Sequence, residues 1–256
     1  MEKTKVESQK RQSETQDVLA FSLGIIFIGC LIQVVGMAKG DSLVFPSVFE
    51  ILKAFFRLIR TVHTYHLIFT TLSHVCVAMI FSTIIGIAIG MVEGLVPFVK
   101  KMLTPLMIML RSIPMIVLVV IIMVLTKYAR VPYIAATLIL VPLISEATAE
   151  GCAHIDSELI DVYRLNSNFS PRILWSVYLP LMAGYLKQAY ISAVGMGVKL
   201  IVSSEYLVQT RNSLGKAIHS SGYFNEYEDI YAYALIMILL IVLLTELPLR
   251  LLRKIS

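Results

Sequence analysis

The chain has 256 residues, 57% of them hydrophobic and only 15% charged, with a mean hydropathy of +0.80. Soluble domains carry about 25% charged and about 45–50% apolar residues, so a water-facing surface is excluded here, and the apolar excess equally excludes disorder. The composition is that of an integral membrane protein, and its net charge of +5, from 22 Lys and Arg against 17 Asp and Glu, fits basic cytosolic loops rather than a nucleic acid partner.

A crossing helix needs about 20 mainly apolar residues. Residues 1–17 form a polar tail carrying Lys3, Lys5, Lys10 and Arg11, and 18–38 form the first predicted span. That span is long for the apolar stretch of a signal peptide and no small-x-small site follows it, so it reads as an uncleaved anchor. The segment 45–66 comes next. Within it, VFEILKAFFRLIR (48–60) places Leu52, Phe55, Phe56 and Ile59 at helical spacing beside Lys53, Arg57 and Arg60. This pattern predicts an amphipathic helix lying along the membrane surface. The core then runs over 67–250, with further spans at 67–92, 102–126, 131–149, 184–204 and 230–249, six in all.

Placing both termini in the cytosol puts twelve Lys and Arg inside (Lys3, Lys5, Lys10, Arg11, Lys100, Lys101, Arg164, Arg172, Lys187, Arg250, Arg253, Lys254). Eight lie outside (Lys39, Lys53, Arg57, Arg60, Lys127, Arg130, Arg211, Lys216). The bias has the expected sign. Cys30, Cys76 and Cys152 are far apart and form no CxxC, so they read as small buried residues. His63, His66 and His74 have helical spacing without a carboxylate or cysteine to complete a ligand set, and read as interfacial polar residues. The Met residues read as packing.

Between the fourth and fifth spans lies a polar loop, 150–181, that includes GCAHIDSELIDVYRLNSNFSPRILWSVYLP (151–180). Asp156 or Ser157 can cap a short helix, with Glu158 in its first turn. Leu159, Ile160 and Tyr163 give that helix a small apolar face, and Asn166, Ser167 and Asn168 stop it. Ser170 and Pro171 start a second helix, which Pro180 ends. A bounded helix of this kind either docks a partner or packs on its own bundle.

The loop resembles the EAA loop of the permease subunits of ATP-binding-cassette (ABC) importers. It is most similar to the subfamily serving nitrate, taurine, aliphatic sulfonates, bicarbonate and the pyrimidine precursor of thiamine. The resemblance runs over roughly 45–250: FPSVFEILKAF, TLSHVCVAMIFSTIIGIAIGMVEG, TPLMIMLRSIPMIVLV, the loop Gly151 to Pro180, SSEYL at 203–207, NSLGKAI at 212–218, and a last span ending in Glu246 and an Arg/Lys cluster. Asp161, Val162 and Tyr163 stand where the family has Glu-Ala-Ala, and Ser167 stands at its glycine. Asn166 or Asn168 can supply the left-handed turn instead.

The resemblance implies an all-α membrane protein of six transmembrane helices with the type I ABC importer permease fold, in a bacterial or archaeal cytoplasmic membrane. It implies a homodimer core, an ABC ATPase dimer that binds ATP and Mg, and an extracytoplasmic solute-binding protein. The chain has no G-x-x-x-x-G-K-[ST] phosphate loop, so ATP hydrolysis is expected in the partner and neither catalysis nor a cofactor in this chain. Coupling to the ATPase falls to the 157–168 helix and its surroundings: Asp156, Leu159, Asp161, Tyr163, Ser167 and Pro180. The competing reading, a self-sufficient secondary transporter or channel, predicts internal halves with matching interrupted spans, and 18–126 does not repeat in 131–249.

Charges inside spans are costly and mark functional candidates. Arg111 lies between Pro105 and Pro114, which are expected to kink its helix, and Lys199 lies mid-span beside Gly195 and Gly197, which would let another helix approach. Both are candidates for the translocation path, where a cation attracts an anionic solute. Pairing with a carboxylate such as Glu146, or snorkelling to the interface, is the alternative. Glu205, at the end of the fifth span, is expected to organise the gate region.

Overall fold

A computed structural model of the protein describes Gly24, residues 46–155 and residues 177–255, with side chains described as far as Glu246. The span predicted at 18–38 and the segment 157–168 lie outside the described residues. Among the described residues every regular element is helical. They fall into two compact units, the chain up to Arg60 with Ser221–Ala234, and Thr61–Ser220 with the chain from Leu235.

In the first unit, α1 spans Val48–Ile59 and opens on a capping box. Ser47 Oγ accepts from the Glu50 N–H (3.3 Å), and the Ser47 N–H donates to Glu50 Oε2 (2.7 Å). These bonds to the Ser47 backbone and hydroxyl hold the Glu50 carboxyl below its ordinary range. The cap is therefore fully formed above the ordinary glutamate pKa and is lost as pH falls through the lowered value. The buried face of α1 is Ile51, Ala54 and Leu58, while Leu52 and Phe56, expected on the apolar face, are exposed with Phe49. The helix has apolar residues on both sides, and Arg57 decides between them. Its guanidinium pairs with Asp229 and with Glu228 (3.1 Å), both on α8 (Tyr227–Ile255), which turns the Ala54 side inward.

The second unit is built on α2 (Val62–Leu95) and α5 (Val131–Ala153), its most extensively packed pair. At about 1.5 Å rise per residue, α2 is ~50 Å long and outreaches a hydrocarbon core of about 30 Å. Next in the chain come α3 (Pro97–Ser112), α4 (Met115–Leu125) and a single 3₁₀ turn, Tyr128–Arg130, before α5. A turn at Leu179–Leu181, α6 (Ala183–Val208) and α7 (Leu214–Tyr223) follow, and α8 closes the chain. α2, α6, α8 to Glu246 and the stretch Tyr128–Ala153 are each long and apolar enough to cross a membrane.

The span predicted at 102–126 is not one helix. α3 and α4 meet at a bend of 100°. Pro114 has no N–H to continue the ladder of α3, and a proline forces the preceding residue out of helical geometry. Ile113 is accordingly extended (φ −67°, ψ 126°). Counted as one broken span, the pair makes a fifth crossing, and the expected sixth is the undescribed 18–38.

Gly86, Gly90 and Gly94 recur every fourth residue on α2 and meet Ile144, Ser145, Thr148 and Cys152 of α5. A Cβ at Gly90 would lie 2.5 Å from Thr148 Cβ and closer still to the Ser145 carbonyl oxygen, and one at Gly94 would lie 2.5 Å from Cys152 Cβ. Small residues let two membrane helices approach to backbone contact, where dispersion replaces the missing hydrophobic drive. Gly195, expected at such a contact, has open space around it, and only Gly197 faces a neighbour, Leu140 at 3.3 Å.

Gly90→Val forces α2 and α5 apart. It should lower the melting temperature of the purified protein by an amount equivalent to about 1–3 kcal/mol. Gly184→Ala, placed where nothing lies within 4 Å, should leave melting unchanged or raise it slightly.

Candidate functional site

Four of the charged residues inside the second unit's helices, Glu205, Arg111, Glu146 and Glu93, are already engaged. Glu205, fully buried on α6, accepts from Thr71 Oγ1 (2.9 Å) and the Gly215 N–H (3.2 Å), and lies 2.7 Å from His74 Nδ1. Thr71 Oγ1 in turn accepts from the Leu214 N–H (3.0 Å). One carboxylate thus ties α2, α6 and the start of α7 together, at the helix end where unpaired N–H groups favour negative charge. The fit is tight, since a Cβ on Gly215 would lie 2.5 Å from Glu205 Cβ. The reversal between α6 and α7 uses left-handed backbone at Gln209 and Asn212 (φ 52° and 54°), and Ser213 Oγ accepts from the Lys216 N–H at 3.2 Å.

His74 is therefore a partner of Glu205 inside the bundle. Thr71 and His74, three apart on an otherwise apolar helix, share one face and both reach Glu205. That spacing was the available signal, and grouping His74 with His63 and His66 concealed it. No group of three potential metal ligands occurs among the described residues.

Arg111, at the end of α3, pairs with Glu146 of α5 at 2.6 Å. Glu146 thus belongs to Arg111 and not to Lys199. The pair borders a cavity of about 390 Å³ that also touches Glu93, Lys100 and Glu150. Glu93 is buried and accepts from Ser145 Oγ at 2.7 Å, beside the glycine crossing. Lys199 is exposed on α6 and has no ion pair or hydrogen bond among the described residues.

Asp156, Leu159, Asp161, Tyr163 and Ser167 lie outside the described residues. Pro180 sits in the turn that leads into α6. Just before it, Val177 and Tyr178 are buried with Met91, Cys152 and Met182, so the chain returning from the loop is packed on the ends of α2 and α5.

The family model of the binding-protein-dependent transport system inner membrane component matches residues 82–255. The chain belongs to this family. Its fold is that of a type I ABC importer permease. A chain of the MetNI methionine ABC transporter, in inward-facing conformations, superposes with a TM-score of 0.66 at 19% identity over 74% of this chain and 94% of that one. A search of curated proteins finds no match. Membership makes the chain a multi-pass membrane component of a transport system rather than a self-sufficient channel.

Glu205→Leu leaves His74, Thr71 and the Gly215 N–H facing an apolar side chain. It should cost about 3–5 kcal/mol, the usual loss when one partner of a buried charged network is removed. Glu205→Gln, which keeps an acceptor oxygen, should cost less. Chemical denaturation in detergent distinguishes the two, and equal stability of all three proteins would show that the network holds nothing together.

Proposed function

We propose that this chain is the transmembrane subunit of an ATP-driven importer. Two copies form the path, a separate ABC ATPase dimer binds ATP and Mg, and an extracytoplasmic binding protein delivers a small solute. The observation that carries the reading is the family match across 82–255 on a fold shared along most of its length with a methionine ABC transporter chain. In this reading the path alternates between outward- and inward-open states, and both termini lie in the cytosol. At 19% identity the likeness to the methionine transporter extends to the fold, so the solute is sought in this chain's own charges.

Coupling runs through the 157–168 segment with Asp156, Leu159, Asp161, Tyr163 and Ser167. Two features support this. The sequence there encodes a bounded helix between stop signals, and the chain on its far side, Val177 to Met182, is fixed onto Met91 and Cys152. The chain that follows the segment is thus anchored at the ends of α2 and α5, and packed interiors transmit displacement.

Asp161→Lys or Tyr163→Ala should abolish both copurification of the ATPase and solute uptake while membrane insertion stays normal. Full assembly and uptake in both variants would overturn the coupling assignment.

A further inference from the structure

The open side of α6 has the wrong chemistry for lipid. Its buried side is apolar over most of its length, with Ala193, Val194, Val198, Ile201 and Val202. Its exposed side carries Tyr185, Gln188, Ser192, Lys199, Ser203 and Tyr206, with Met196 as the apolar residue among them. At about 100° per residue these six fall within one arc of roughly 60°, so they form a single stripe along the helix. A lipid-facing span would show the reverse pattern. A lysine at the centre of a span costs about 2.5–3.5 kcal/mol against hydrocarbon, and Gln188, Ser192 and Ser203 add polar groups that lipid cannot satisfy.

The carboxylates that could neutralise Lys199 are committed elsewhere: Glu146 to Arg111, Glu205 to Thr71 and His74, Glu93 to Ser145. At the Ser203–Tyr206 end the stripe opens into a cavity of about 480 Å³. Met115 and Ile116, the first residues past the 100° bend, share its lining, which is mainly apolar. An exposed cationic head on a polar stripe, one turn from an apolar chamber of small-molecule size, matches a solute with an anionic group and an apolar body.

We infer that the Tyr185–Tyr206 stripe of α6 is a water-lined wall of the translocation path and that Lys199 selects a small organic anion. The inference rests on the permease reading above and adds the charge class of the solute. Arg111, held in an ion pair, and Glu205, held in hydrogen bonds, are the other charged candidates for the path and shape the bundle around it.

The test needs no knowledge of the solute. Single cysteines replace Ser192 or Ser203 in the full chain, with Cys30, Cys76 and Cys152 changed to alanine, and the protein is held in lipid nanodiscs. Rates of modification by anionic ethylsulfonate and cationic ethyltrimethylammonium methanethiosulfonates are compared, each normalised to a free thiol. Both cysteines should react, with the anionic reagent favoured about fivefold, the factor expected from one nearby unit charge in water-like surroundings. Lys199→Met should remove the preference and Lys199→Arg should keep it.

Failure of either cysteine to react, or an anionic preference that survives Lys199→Met, overturns the inference. Copurification of the ATPase from the same preparations is scored separately. Its absence alongside charge-selective access would count against the importer reading and leave the anion-selective wall standing.

Discussion

The backbone-close crossing of α2 and α5 is the constraint on which the rest of the second unit depends. Lipid offers no hydrophobic drive for two apolar helices to meet, so contact must come from dispersion at short range and from polar bonds between the helices. Gly86, Gly90 and Gly94 supply the first, and the bond from Ser145 to Glu93 supplies the second. Once α2 is fixed at that end, its other end presents Thr71 and His74 at a defined height, where Glu205 of α6 meets them. α2 is thus a single rigid link. It joins the cluster of Met91 and Cys152, onto which the loop returns, to the Glu205 knot that sets the start of α7.

Charge placement follows the same economy of partners. Burying a charge is tolerable only when it is paired and hydrogen-bonded, and Glu205 and Glu93 meet that condition inside the bundle. Arg111 and Glu146 meet it at the edge of a cavity, immediately before the bend that separates α3 from α4. Lys199 meets it nowhere among the described residues, and it stands on the one side of α6 that is polar. Arg111 and Glu205 have partners that fix them in the bundle, and this separates them from Lys199.

Much of this architecture was legible in the sequence. Hydropathy located the spans among the described residues because lipid imposes one length and one polarity on every crossing, and the helical spacing of apolar residues placed α1. Pro105 and Pro114 marked a kink in the span, but its size was not legible, since a mean over 102–126 is apolar whether the helix runs nearly straight or turns by 100°. Of Gly195 and Gly197, only Gly197 meets a helix of this chain, at Leu140, because spacing alone does not say which face of a helix meets a neighbour. The repeat at 86, 90 and 94 carried the stronger signal, three glycines on one face. Glu205 was legible as an organiser, but its partners Thr71 and His74 come from more than 130 residues away, and only folding shows them together.

The central claim is that two copies of this chain move against each other when the ATPase closes on nucleotide. The direct measurement is the distance between spin labels on the two copies, placed at Ser203 in one sample and at Lys187 in another, in the complete complex reconstituted in nanodiscs. Pulsed dipolar spectra would be recorded without nucleotide and after trapping with ATP and vanadate. The account predicts opposite changes, with the Ser203 pair moving apart while the Lys187 pair draws together, since the two positions lie toward opposite ends of α6. Distances that stay the same at both positions on trapping, or that shift in the same direction, would contradict it.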